Sequence, residues 1–173
     1  ISGISGIDIA LWDIVGKACN RPIHKLIGGA FRTRVQAYAT GFYFSDMDRV
    51  TEEAVEEAHE YLDSGFRAVK MKIGLGDLRK DIARVAAVRQ AIGPDVLLMV
   101  DANHCYNVPQ AITIGRELEK LGVHWFEEPI SPEDLDGYVE VCRALDMAVA
   151  GGENDFTKFG FKHVIDKRAM DIV

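Results

Sequence analysis

The sequence predicts an α/β fold of the closed-barrel kind, in which parallel strands alternate with helices, and three observations carry that expectation. The apolar run 97–100 ends abruptly in Asp101. A buried parallel strand reads as a continuous hydrophobic run, so a carboxylate at its end demands a cationic partner. The same event recurs at residues 123–127, ending in Glu127, and at 148–153, ending in Glu153, with 26 residues from Asp101 to Glu127 and 26 more to Glu153. Each interval holds one helical pattern, and a strand-helix period specifies parallel strands joined by right-handed crossovers. Three carboxylates then lie at one end of three neighbouring strands, the end where an eight-stranded barrel carries its chemistry.

In chain order, Ile4, Ile7, Leu11, Ile14, Val15 and Ala18 form the apolar stripe of a helix over 4–18 that ends at Asn20-Arg21-Pro22. A turn at Gly28-Gly29 leads to a first strand at 35–40. Asp46 is expected to cap a helix carrying Val50, Ala54, Ala58 and Leu62 and stopped by Gly65. The second strand, 66–73, alternates: Val69, Met71 and Ile73 share one face and Lys70 and Lys72 the other. The apolar face packs on helices, so both lysines point into the barrel mouth. Helices over 77–92, 108–121, 132–145 and 157–167 follow, and 170–173 reads as the start of a sixth strand. At this unit length eight units need more than roughly 200 residues, so about two units of the barrel are expected beyond Val173.

Composition narrows the partners. The 173 residues are 48% hydrophobic, ample for one core. A formal charge of −7 argues against a nucleic-acid or anionic-membrane partner. No apolar run approaches the roughly 18 residues of a membrane span. Cys19, Cys105 and Cys142 lack metal-ligand spacing and read as reduced thiols of a cytoplasmic protein. The chain begins at Ile1, with no Met before Met47, and so reads as an interior piece of a longer polypeptide.

Asp101, Glu127 and Glu153 together make a hard-oxygen site, which suits Mg²⁺. Lys70 and Lys72 stand opposite, and two ammonium groups on one face lower the pKa of at least one, which is how a lysine becomes a general base. A divalent ion facing a basic lysine points to removal of the proton α to a carboxylate, because the metal can offset the second negative charge that builds on the carboxylate oxygens. A Schiff-base aldolase could also use a strand lysine, but it has no need of three evenly spaced acids. A noncatalytic barrel that kept a metal site is the alternative of another class.

The stretches Gly65-Phe66-Arg67-Ala68-Val69-Lys70-Met71-Lys72-Ile73-Gly74, Val100-Asp101-Ala102-Asn103, Trp125-Phe126-Glu127-Glu128-Pro129 and Gly152-Glu153-Asn154 resemble the mandelate racemase and muconate lactonizing enzymes of the enolase superfamily. The likeness includes Ala10-Leu11-Trp12-Asp13, on the helix that enters the barrel in that family. It implies a TIM-type barrel of the (β/α)7β variant, of which this chain holds the entering helix and about five and a half units. Residues 1–34 would be the helix and connection entering the barrel, and residues 35–173 the partial barrel domain. An amino-terminal capping domain and the last strands would lie outside the sequence.

The resemblance further implies Asp101, Glu127 and Glu153 as magnesium ligands and Lys72 as catalytic base. Lys70 would tune that base and contact the substrate carboxylate, with Asn103 and His104 as candidate substrate contacts. Glu128 reads as a supporting acid on the opposite face from Glu127; Thr40, Phe42 and Tyr43 could touch substrate or pack beneath a loop. The implied enzyme is a lyase or isomerase acting through an enolate on a small carboxylate substrate, as a symmetric homo-oligomer. The polar Asn103-His104 pair favours dehydration of a sugar acid to a 2-keto-3-deoxy acid. Racemisation or epimerisation of a 2-hydroxy acid, or cycloisomerisation, is the alternative, because the family's second acid-base pair falls beyond Val173.

Overall fold

The computed structural model describes residues 2–173, with Ser2 placed by its backbone alone; Ile1 lies outside the described residues. The chain divides into two compact units, residues 1–36 and 37–173. In the first, helix α1 (Ser2–Ala18) is followed by the short α2 (Ile23–Leu26). Asn20, at a left-handed φ of 49°, makes the turn between them. The stripe Ile4, Ile7, Leu11 and Ile14 forms as expected and stands exposed.

The second unit alternates strand and helix throughout: β1 (Ala39–Gly41), α3 (Val50–Asp63), β2 (Ala68–Lys72), α4 (Leu78–Ile92), β3 (Leu97–Asp101), α5 (Val108–Lys120), β4 (Val123–Glu127), α6 (Leu135–Ala144), β5 (Ala148–Ala150) and α7 (Thr157–Lys167). The strands form one sheet in the order β1-β2-β3-β4-β5, every pairing parallel. This is the α/β architecture that the strand-helix period predicted.

Side-chain alternation sorts the two faces. Val69, Met71, Leu98, Val100, Phe126 and Val149 are fully buried and pack with Val85, Val88, Ile114, Leu118 and Val141 of the helices. Lys70, Lys72, Asp101 and Glu127 occupy the other parity. The helices start where local chemistry allows. Asp77 caps α4 by accepting from the Arg79 N–H at 2.9 Å, and Asp134 caps α6 by accepting from that of Gly137 at 2.9 Å. Asn107 and Gln110 form a reciprocal capping box on α5.

Three expected elements differ. The first strand begins at Ala39 rather than residue 35, because β2 starts only at Ala68 and the β1 register opens with Ala39 against Val69. Asp46 does not cap α3: its carboxylate accepts from the Asp48 N–H at 2.9 Å, and the cap position belongs to Arg49, which makes no side-chain capping bond. Residues 170–173 supply a parallel bridge between Ile172 and Ala150 rather than a ladder, while the Asp171 carboxylate accepts from the Val149 N–H at 2.9 Å. Among the described residues, no helix is long and apolar enough to cross a membrane.

Candidate functional site

The parallel register sets Lys72 beside Asp101 and Asp101 beside Glu127, so one row across the carboxyl ends of β2, β3 and β4 carries base and acids. Glu153 arrives differently. Glu127 pairs with Ala150, and Glu153 lies three residues further on, past Gly152, whose φ is +111°. Equal sequence spacing therefore does not mean equal register: the loop after β5 brings the third carboxylate back. One oxygen from each of Asp101, Glu127 and Glu153 lies within 4.8 Å of the others.

The two lysines are distributed over these acids. Lys72 Nζ donates to Asp101 Oδ2 at 2.5 Å and to Asn103 Oδ1 at 2.7 Å. Lys70 Nζ donates to both oxygens of Glu127 at 2.8 Å and lies 3.6 Å from Asp101 Oδ2. Burial alone would lower the Lys70 pKa. The hydrogen bond and charge of Glu127, with the charge of Asp101, outweigh it and raise it. At Lys70 the neighbouring carboxylates thus decide the direction, which makes it the charged member of the pair.

Further groups hold the acids in place. The Asn103 N–H donates to Asp101 Oδ1 at 3.0 Å, and the Trp125 indole N–H to Glu127 Oε2 at 3.2 Å. Glu128 is fully buried, at a left-handed φ of 42°. It accepts from Asn154 Nδ2 at 2.6 Å and from Asn103 Nδ2 at 3.4 Å, with His104 Nε2 also 3.4 Å away. Desolvation, followed by the charges of Glu128, Asp101 and Glu127, raises the Glu153 pKa against the opposing pull of Lys72. Asp101, Glu127 and Glu153 thus outnumber the two lysines, with Glu128 buried alongside and held by Asn103 and Asn154. That excess of acids, with three of them converging, is a donor set that fits a divalent hard cation.

Other sequence candidates fall outside this cluster. Phe42 is completely buried and its ring packs edge-on to Tyr61 at 5.5 Å, so it belongs to the core; Tyr43 is exposed. Trp125 and Asn154 were not singled out by the sequence reading. The alternation that places Glu127 inward also places Trp125, two residues earlier, on the same face, and that signal was available. Asn154 carries no such signal, since only the loop path after β5 aims it at Glu128.

Comparison with known proteins gives the family of the fold that carries these residues. Residues 53–173 match the family model described as enolase C-terminal domain-like, and residues 1–28 match the amino-terminal domain of mandelate racemase / muconate lactonizing enzyme. An arabinonate dehydratase of Saccharolobus solfataricus is 44% identical over all of this chain and 46% of its own length. The crystal structure of a 3,6-anhydro-D-galactonate cycloisomerase from Zobellia galactanivorans superposes with a TM-score of 0.90 at 46% identity, covering 97% of this chain and 46% of that one. A racemase from Streptomyces coelicolor A3(2), solved with bound magnesium, gives a TM-score of 0.88 at 39% identity, covering 98% and 49%. The chain spans about half the length of the curated relatives it matches.

Proposed function

The chain belongs to the mandelate racemase / muconate lactonizing enzyme family of the enolase superfamily, and we propose that it serves a magnesium-dependent enzyme that removes the proton α to a carboxylate. The observation that carries this reading is the convergence of Asp101, Glu127 and Glu153 to within 4.8 Å, beside two strand lysines. In it, residues 35–173 are the barrel domain bearing the site, and residues 1–34 are the segment that enters it.

Asp101, Glu127 and Glu153 would hold Mg²⁺, whose charge, when bound, offsets the second negative charge that develops on the substrate carboxylate as the proton leaves. Lys72 accepts the α-proton at Nζ, an atom that Asp101 and Asn103 fix from two sides. Lys70 keeps its charge, through Glu127 and Asp101, and presents it to the substrate carboxylate. Asn103 and His104, both at left-handed φ on the turn after β3, offer polar contacts to substrate hydroxyls.

The substrate class is a sugar acid and the reaction its dehydration to a 2-keto-3-deoxy acid, supported by the polar turn at 103–104 and by the arabinonate dehydratase likeness. The likeness to a cycloisomerase at similar identity favours cycloisomerisation as the second reading, with racemisation of a 2-hydroxy acid in third place. The assembly is a homo-oligomer. The deciding experiment incubates the full-length protein with Mg²⁺ and a panel of sugar and 2-hydroxy acids in deuterium oxide. A carbonyl product trapped by semicarbazide that carries solvent deuterium at C3, the carbon protonated when the enol becomes the ketone, supports dehydration, and deuterium at the α-carbon of an acid without a carbonyl supports racemisation. No carbonyl product and no deuterium incorporated from solvent with any acid in the panel overturns the proposal.

A further inference from the structure

Helix α4 places two charged side chains in phase with the stripe that buries Val85, Val88 and Ile92. Asp81 is fully buried and Arg84 is 1% exposed. A buried charge persists only where it is paired or hydrogen-bonded, and both of these reach the short segment 72–75 that leaves β2. Arg84 Nη1 donates to the Lys72 carbonyl at 2.5 Å, Nη2 to that of Phe42 at 2.6 Å, and Nε to that of Val50 at 3.0 Å. Asp81 Oδ1 accepts from the N–H groups of Gly74 at 2.9 Å and Leu75 at 3.1 Å. Its Oδ2 accepts from the Tyr106 hydroxyl at 2.8 Å.

Tyr106 ties this segment to the rest of the site. It lies five residues beyond Asp101, is buried, and packs its ring against Phe126 with centroids 6.2 Å apart. Burial, then the charge of Asp81, pushes its pKa far up, so the hydroxyl stays protonated and donates. The Ile73 N–H donates to the Asp101 carbonyl at 2.9 Å. The backbone leaving β2 is thus fixed on both sides of Ile73, by Arg84 before it and Asp81 after it. Charge-assisted hydrogen bonds are roughly twice as strong as neutral ones.

We propose that Asp81, Arg84 and Tyr106 are positioning residues for Lys72: they fix the backbone from which its side chain springs, so that the amine stays lodged between Asp101 and Asn103. This rests on the reading of Lys72 as the proton acceptor. None of the three makes a hydrogen bond to Asp101, Glu127 or Glu153, and Arg84 and Asp81 bracket the Lys72 backbone directly. A misplacement of about 1 Å in a reacting group can cost on the order of 100-fold in rate.

The test uses the full-length protein and Tyr106→Phe, which removes one hydroxyl and keeps the ring. Three quantities are read: acylation of Lys72 by acetic anhydride relative to exposed Lys120, mapped by peptide mass spectrometry; kcat and KM for the reaction that removes the α-proton; and Mg²⁺ affinity by calorimetry. Lys72 acylation is expected to change by about 3-fold or more, with kcat lower by about 10- to 100-fold and KM and Mg²⁺ affinity within about twofold. Unchanged Lys72 acylation overturns the proposal, as does a parallel loss of kcat, KM and Mg²⁺ affinity, the pattern of a general loosening. Should the parent protein remove no α-proton from any acid, the proton-acceptor reading fails, and the acylation comparison alone still decides whether Tyr106 positions Lys72. Arg84→Lys, which keeps the charge and loses the fork, gives the same readouts if Tyr106→Phe does not fold.

Discussion

The Lys70 ammonium bridges both carboxylate oxygens of Glu127 at 2.8 Å and stands 3.6 Å from Asp101. In this geometry the lysine already supplies part of the positive charge that the converging acids require. The Lys70 and Glu127 side chains are only 10% and 14% exposed, so their attraction is weakly screened.

Lys70→Met is therefore expected to destabilise the metal-free protein by on the order of 2 kcal/mol, less than the full loss for a buried pair because both groups keep some solvent. Added Mg²⁺ should narrow the gap, since an ion that binds only the folded state stabilises it. Thermal denaturation with and without Mg²⁺ checks this. A melting temperature that matches the parent's in the absence of the ion would refute it.

Glu153→Gln should separate folding from metal binding. Desolvation of its carboxyl, and then the charges of Glu128, Asp101 and Glu127, raise the Glu153 pKa, so neutralising it should leave thermal stability unchanged or slightly higher. Calorimetry should meanwhile show Mg²⁺ affinity lower by at least about 10-fold, the lower end of what loss of an outer-shell partner costs. Undiminished affinity would remove Glu153 from the metal site.

Gly74→Ala tests the turn that follows the lysine strand. Its φ is +112°, and a Cβ there would lie 2.7 Å from Cys105 Sγ and 2.9 Å from Cys105 Cβ. Strain of about 1–3 kcal/mol is expected from the backbone alone, and urea denaturation should report at least that loss. A variant as stable as the parent would show that the loop re-forms another way.

Arg89→Met probes the opposite ends of the strands. Arg89 donates to the carbonyls of Leu121 at 2.8 Å, Gly93 at 2.9 Å, Val96 at 2.7 Å and Gly122 at 2.9 Å, in the connections that lead into β3 and β4. A loss of about 2–3 kcal/mol in urea denaturation is expected, as for hydrogen bonds to charged groups, with Mg²⁺ affinity unchanged. Weakened Mg²⁺ binding in this variant would contradict the assignment of Arg89 to the scaffold.

The parallel sheet was legible because its strands are long apolar runs and its helices carry clear stripes. The inward turn of Lys70 and Lys72 was legible because strand alternation leaves no other face for them. The start of β1 was not legible, since a strand's ends are set by what its neighbour offers, and β2 begins only at Ala68. The direction of the Lys70 shift depended on distances to Glu127 that sequence does not contain. Asp81 and Arg84 did leave a trace, charged residues in phase with Val85, Val88 and Ile92, but a charged residue on a helix ordinarily reads as solvated. Only the fold shows the carbonyls and N–H groups that meet them.

The detour of Glu153 past Gly152 gives the three oxygen donors unequal footing. Asp101 and Glu127 are anchored by the ladder, whereas Glu153 is carried by the connection past Gly152, outside it. An ion held by all three would tie the connection between β5 and α7 to the sheet, a tether that ladder hydrogen bonds do not supply there.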